Sequence, residues 1–382
     1  MSVTSISGRA RGATATVGHL LDHQSLIVCV GSGGVGKTTM AAALAIAAAR
    51  RGRRTAVLTI DPARRLQDAL GIEVVGGAPH RVRVPRRSGE PVGRLDAMVL
   101  DAKHTFDTLI HRYAPSPEIA ARVLDNRIYQ SLSGTLAGSQ EYMAMERIHE
   151  IVASASYDLL IVDTPPSQHA LDFFEAPDRM SALLSSRAAT LLQNPSLMLA
   201  GGGSRFAQAM LTTILRGLER FTGLTLLRDL ADFAGSLDTY SEGFRTRAAA
   251  VAAMLREPAT SYLLVTTPEP ARIVETLTLR GELARTHLPV AGVIVNRVLP
   301  AGIVGSNSTV PRAQTPDDLA FARKLTAVHR RYARLAREER REIARLARQT
   351  NAQRTDVVVE VPLQTIEPTS LSRLVALAEA LI

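Results

Sequence analysis

The sequence predicts an α/β fold built on a doubly wound, mainly parallel sheet, interrupted by two long helical stretches. Three observations carry the prediction. Short apolar runs alternate with helix-length segments along the 382 residues, as they do in chains of βα units. The first apolar run breaks into glycines and continues as an alanine-rich helix. Two further runs end in an aspartate with a proline one or two residues on. That places acids at the carboxyl ends of parallel strands, where open α/β sheets bind their ligands.

In chain order, residues 1–24 are rich in Ser, Gly, Thr, Ala and Arg and lack the apolar core of a signal peptide. They read as a flexible N-terminal tail ahead of a domain spanning 25–382. A buried strand is predicted over 26–30 and a helix over 38–50. Between them Gly31, Gly36, Lys37 and Thr38 satisfy the pattern G-x-x-x-x-G-K-[ST] of a phosphate-binding loop. To wrap a polyphosphate, successive backbone N–H groups must turn inward, and Gly33, Gly34 and Gly36, with Val35 among them, give the chain that freedom. The helix that follows aims its free N–H groups at the same anion. Lys37 adds a positive charge on the β and γ phosphates, the Thr38 hydroxyl is a ligand for Mg²⁺, and Thr39 is a second phosphate contact. Only three of the 45 Lys and Arg residues are lysines, so a lysine at this place is no accident of composition.

The second strand, 55–60, delivers Asp61 beside the phosphates, as a site acid, a helix N-cap or both. Residues 80–91 are basic and rich in Pro and Gly, and read as a surface loop. A strand over 95–100 leads into a helical region, 103–151, with Phe106, Leu109, Ile110 and Tyr113 on one stripe and Tyr142, Met145, Ile148 and Ile151 on another. The strand 157–162 ends in Asp163, the kind of acid that partners a phosphate loop in holding Mg²⁺ directly or through water.

Residues 170–257 are mostly helical with a glycine break at 201–203. Within them 206–237 is rich in Leu, Phe and Ala and reads either as core helices or as a hydrophobic groove. Strands follow at 262–266 and 290–295, with a helix over 269–286 between them and Asn296 directly after. Residues 300–316 form a polar loop. The long helix over 317–350, with Arg and Glu alternating, reads as a solvated face rather than a nucleic-acid arm. A strand at 356–361 and a helix at 370–382 close the chain.

Composition narrows the functional classes. The net charge is +9, but the arginines are interleaved with acids rather than massed, so no dedicated nucleic-acid surface is expected. No apolar stretch reaches the ~20 residues of a membrane span, and a cytoplasmic protein is expected. The single cysteine, Cys29, excludes an internal disulfide and lies within the first strand as a small core residue.

Together these motifs resemble the ArsA family of ATPases, which includes arsenite-pump motors and Get-type targeting factors for tail-anchored membrane proteins. The resemblance rests on Gly-Ser-Gly-Gly-Val-Gly-Lys-Thr-Thr at 31–39, Asp-Pro-Ala at 61–63, Asp-Thr-Pro-Pro-Ser-Gln-His-Ala-Leu at 163–171, Val-Asn at 295–296 and Val-Pro-Leu at 361–363. It implies a P-loop NTPase with an inserted helical subdomain, drawn from about 103–140 and 175–257, and hydrolysis of ATP to ADP and phosphate with Mg²⁺. By this resemblance Asp61 activates the attacking water, Asp163 senses Mg²⁺ and the γ phosphate, Asn296 reads the adenine edge, and the segment around Pro362 closes over the base. It also implies a dimer, either a homodimer or a heterodimer with a related ATPase, that opens and closes while handling a hydrophobic protein client, a transported species or a membrane partner. An ATP-gated client-binding chaperone or a regulatory subunit of a heteromeric ATPase is the alternative. Two departures stand out. Ser32 occupies the place of the family's signature lysine, and a lone cysteine argues against thiol-based arsenite binding or a zinc-bridged dimer. His169 reads as structural or as a conformational relay, not as a general base.

Overall fold

In the computed structural model, the described residues are 16–61, 65–72, 77–85, 89, 91, 93–114, 116–126, 129–130, 139–165, 246–300, 302–305, 315–350, 357–364 and 370–382. They fall into two units, one of Met1–Val99, Ser154–Leu171 and Arg256–Ile382, the other of Leu100–Ala153 and Asp172–Leu255. The sequence readings at 1–15, 62–64, His169, 201–203 and 206–237 lie outside the described residues.

The first unit is an eight-stranded sheet with the order β3-β4-β2-β5-β1-β6-β7-β8. Its strands are β1 (Leu26–Val30), β2 (Arg54–Thr59), β3 (His80–Val82), β4 (Arg94–Val99), β5 (Leu159–Asp163), β6 (Thr260–Thr266), β7 (Val290–Val298) and β8 (Val357–Pro362). Every pairing is parallel except β3 with β4. Parallel strands need both faces covered, and the burial shows that they are. Ile27, Val57, Ile161 and Ile294 on one face and Val28, Leu58, Val162 and Val293 on the other are all at most 1% exposed.

Against this sheet lie α2 (Lys37–Arg50), α7 (Pro270–Arg285), α9 (Pro316–Thr350) and α10 (Leu371–Leu381), with α1 (Val17–His23) packed on α2, α3 (Arg65–Leu70) on α2 and α10, and the four-residue α8 (Gly302–Gly305) beside α9. The helices of the second unit are α4 (Ala102–Tyr113), α5 (Pro117–Leu124) and α6 (Ser139–Ala153). The alanines of α2 let it sit close to β2 and β5 on one side and α10 on the other; Met40 through Ala48 are all fully buried.

Two sequence readings need correction. Residues 17–23 are not tail but a helix. The Thr16 hydroxyl accepts from the His19 N–H and caps the first turn, and Val17, Leu20 and Leu21 sink into the main core. Nor is 80–91 loop throughout, because His80–Val82 pairs antiparallel with the β4 edge and Val82 is buried. Backbone pairing and one apolar contact suffice for so short an edge strand.

The second unit has a core of its own, formed by Leu109, Ile110, Ala120, Val123, Tyr129, Tyr142, Met143 and Ala248, with the Phe106 ring stacked on Tyr129. Side chains start two of its helices. Asp101 accepts from the His104 N–H and Ser116 from the Ile119 N–H, the latter with Pro117 in the first turn. The buried Glu146 carboxylate takes the Tyr142 hydroxyl at 2.8 Å and the Arg247 guanidinium at 2.9 Å. Both stripes read from the sequence face inward where they are described: Tyr142, Met145, Ile148 and Ile151 are all at most 5% exposed.

Candidate functional site

The sheet order brings the site together. β1 lies between β5 and β6, so the chain reverses its winding there, and the loop after β1 opens at the carboxyl edge beside the end of β5. Register does the rest: Asp163 stands level with Cys29 on one side and Thr59 on the other.

The glycines fit this place sterically. A Cβ on Gly31 would be driven into the Val265 carbonyl of β6, and one on Gly36 into the Asn296 carboxamide. Gly36 has φ +96 and caps α2; Gly34 has φ +77. Both lie in the left-handed region that only glycine adopts without strain. Gly33 and Gly34 are exposed while Val35 is buried beneath them, so the loop is anchored from below and open above.

Lys37 is buried and donates at 2.9 Å to both the Gly31 and Ser32 carbonyls. Burial pushes its ammonium below the usual lysine range, opposed by the Asp163 carboxylate. Thr38 and Thr39, half-buried, occupy the first turn of α2. The Thr38 hydroxyl donates to Asp163 Oδ2 at 2.7 Å and the Thr59 hydroxyl to the same oxygen at 3.0 Å. The other oxygen, Oδ1, is buried without a hydrogen-bond partner. Burial pushes the Asp163 carboxyl up to about 6, against the two hydroxyl donors and the nearby Lys37.

That orphaned oxygen beside a threonine hydroxyl fits a hard divalent cation, whose remaining ligands would be phosphate oxygens and water. Among the described residues, no group of three His, Cys, Asp or Glu side chains is assembled to hold a metal by itself.

Asn296 ends the regular part of β7. Its Nδ2 donates to the Val35 carbonyl at 2.9 Å and its Oδ1 accepts from the Arg297 N–H, where the strand bulges and Arg297 takes φ +61. Pro362 closes β8 level with Val298, and the Leu363 N–H donates to the Val298 carbonyl. The two residues therefore end neighbouring strands on the loop's edge of the sheet. Asp61 stands two residues beyond β2, a quarter exposed, with Arg65 at 3.6 Å. It raises the Asp163 carboxyl further and acts on Lys37 in the same way, as a nearby negative charge does.

Sequence reasoning missed three participants. Thr59 is the last residue of an apolar strand, and nothing local marks it as a donor to Asp163. Thr164 donates to the Cys29 carbonyl at 2.8 Å and ties the end of β5 to β1. Glu275 on α7 accepts from the Ser32 hydroxyl and from Arg272, which together hold its carboxyl below the usual range. Cys29 is fully buried, and burial pushes its thiol well up, so it serves packing.

The family model described as anion-transporting ATPase matches residues 24–315, taking in the phosphate loop, both aspartates and Asn296. The chain belongs to the anion-transporting ATPase (ArsA) family. Among similar proteins are "ATPase GET3" of Paracoccidioides lutzii, 26% identical over 291 residues that cover 75% of this chain and 77% of that one. "ATPase ASNA1 homolog 1" of Paramecium tetraurelia is 26% identical over 294 residues, 74% of this chain and 78% of that protein. "Protein Rv2184c" of Mycobacterium tuberculosis is 29% identical over 283 residues, 71% of this chain and 58% of its own length. Among the described residues of this ArsA-family chain, no helix is long and apolar enough to cross a membrane.

Proposed function

We propose that this chain is a cytoplasmic, Mg²⁺-dependent ATPase that hydrolyses ATP to ADP and phosphate and couples the cycle to dimer opening and closing and to a client or transported species. One observation carries the reading: the buried, unpartnered Oδ1 of Asp163 sits beside Thr38 and behind a glycine loop with Lys37 at its base.

Thr38 and Asp163 would hold Mg²⁺, which supplies charge neutralisation on the phosphates when bound. The work of this chain's own residues is positioning and electrostatics rather than covalent chemistry. The backbone N–H groups of 33–36 and the start of α2 cradle the polyphosphate. Lys37 exchanges the Gly31 and Ser32 carbonyls for phosphate oxygens, regaining a negative partner for a buried ammonium. Asp61, at the open carboxyl edge, orients the attacking water. Asn296 holds Val35 in place and offers its carboxamide edge to the base, with Pro362 beside it. The second unit is the helical subdomain through which nucleotide state reaches the client. The partner is a second copy or a related ATPase.

A partner-completed variant of this reading has one observation in its favour. Ser32, bound to Glu275, offers no positive charge at the second position of the loop. A related subunit that brings its own cation would then be needed for full turnover.

The test is ATP turnover of the purified protein with Mg²⁺ over a wide range of protein concentration. Turnover per chain that rises with concentration supports a self-sufficient homodimer. Tight ATP binding with negligible turnover supports the partner-completed form. Absence of ATP binding refutes both.

A further inference from the structure

The 35 residues of α9 divide into two halves with different chemistry. In the C-terminal half the arginines and glutamates do alternate, as the sequence suggested. There Ile343 and Leu346 are buried, Glu339 accepts from the Leu299 N–H at 2.8 Å, and Arg340 pairs with Glu360. The N-terminal half is different. From Leu319 to Arg337 the helix has no acid, and it has Arg323, Lys324, Arg330, Arg331, Arg334 and Arg337.

Along this acid-free half runs an apolar seam. Phe321, Leu325, Val328, Tyr332 and Leu335 recur at alternating spacings of four and three and are 46–67% exposed. The face that docks on the fold runs through Ala333 and Ala336, one residue or roughly 100° further round the helix. The seam is therefore a second face, about 21 Å long at 1.5 Å per residue, with no apolar cover among the described residues.

We propose that the N-terminal half of α9 lies on anionic lipid bilayers, its seam entering the headgroup and acyl boundary, with Lys324 and Arg331 at the seam's edge meeting the lipid phosphates and the four arginines of the opposite face adding longer-range attraction. A basic polar face opposite Phe, Leu and Val is the pattern of an interfacial helix. Charge decides the occupant. A second copy seated antiparallel would bring Lys324 and Arg331 against the same two cations, and the seam is only about two heptads long, short of the three to four a coiled coil needs. An acidic partner helix would meet just Lys324 and Arg331 at the seam's polar edge, because the other edge carries Ala322, His329 and Ala336. A flat anionic surface instead draws on all six cations, whose long side chains reach within a Debye length of it. A nucleic acid would use the cations but give nothing for covering Phe321, Leu325 and Val328. The nearest acids, Asp317, Asp318, Glu338, Glu339 and Glu342, lie beyond the ends of the seam.

The absence of tryptophan from the chain makes the test direct. The full-length protein, without nucleotide so that the result is independent of the ATPase reading, is floated with phosphatidylcholine vesicles with or without phosphatidylglycerol. The expected result is flotation only with phosphatidylglycerol, lost at high salt. It should fall at least about tenfold in Leu325→Ser/Val328→Ser and in Arg330→Gln/Arg331→Gln/Arg334→Gln, as an interface bound by apolar area plus charge requires. In the Phe321→Trp protein, the emission should shift to the blue on these vesicles and be quenched by brominated lipid. Because the seam is exposed, unchanged circular dichroism confirms that the variants fold. Failure to float, equal flotation with phosphatidylcholine alone, flotation with unshifted emission, or a self-association that the seam variants abolish would each overturn the proposal.

Discussion

Replacing Asp163 by Asn tests the electrostatic argument at the centre of the site. In the unfolded chain this carboxyl titrates near 3.8 and in the folded, ligand-free protein at about 6. Between those values the folded state holds a proton that the unfolded state has released. Stability therefore falls as pH rises through this window. The gap corresponds to about 3 kcal/mol, and with the side chain 1% exposed there is little solvent screening to reduce it. Asparagine keeps an oxygen for the Thr38 and Thr59 hydroxyls but does not titrate. The assay is urea unfolding of the nucleotide-free protein in chelator, followed by circular dichroism at a series of pH values from about 4 to 8. The stability of Asp163→Asn minus that of the parent should rise by about 2 kcal/mol between pH 4 and pH 7, most of the full gap, and then level off. Other titrating groups are common to both proteins and cancel. A constant difference, or one that shrinks as pH rises, would refute the claim that the fold holds this carboxylate at a cost.

Lys37→Ala should abolish nucleotide binding or turnover, whereas Asp61→Asn should bind ATP normally and lose turnover; ordinary ATPase activity in Asp61→Asn removes that residue from its role. Gly34→Ala, with nothing within 4 Å of the new Cβ, should cost only the backbone strain of about 1–2 kcal/mol. Gly36→Ala should cost more, since the added carbon displaces Asn296, and equal thermal stability of the two variants would contradict the packing described. Arg247→Met should destabilise the second unit by about 3–5 kcal/mol, because among the described residues it leaves the buried Glu146 with only the Tyr142 hydroxyl. Urea unfolding reads this out, and a change below about 1 kcal/mol would mean that the pair is no more than a surface ion pair.

What could be read from the sequence was what lies close together in it. The phosphate loop is eight contiguous residues of special chemistry, and each aspartate ends an apolar run, so Lys37, Thr38 and Asp163 could be named without coordinates. Thr59 and Glu275 could not. Thr59 meets Asp163 only because β2 and β5 pair in that register, and Glu275 reaches Ser32 across 243 positions of chain. The two local misreadings have physical causes. The α1 helix is only seven residues long, too short for a periodic signal, although Thr16 and the spacing of Val17, Leu20 and Leu21 were its trace. The β3 strand is basic and proline-flanked, and its pairing is made by backbone groups that composition does not report. The asymmetry of α9 was present in the sequence but was averaged away when its arginines and glutamates were read over the full length.

The alanine-rich α2 has a consequence for how the molecule can vary and move. Because this helix is enclosed on every side from Met40 to Ala48, a saturation scan along it would show none of the three- to four-residue rhythm of tolerance that a surface helix gives. Nearly every position would reject enlargement alike. An element so wedged cannot roll or slide to report on the phosphate it faces. In the proposed ATPase cycle it acts as a fixed stop, which leaves the sensing of the γ phosphate to the ends of the strands at Asp61 and Asp163.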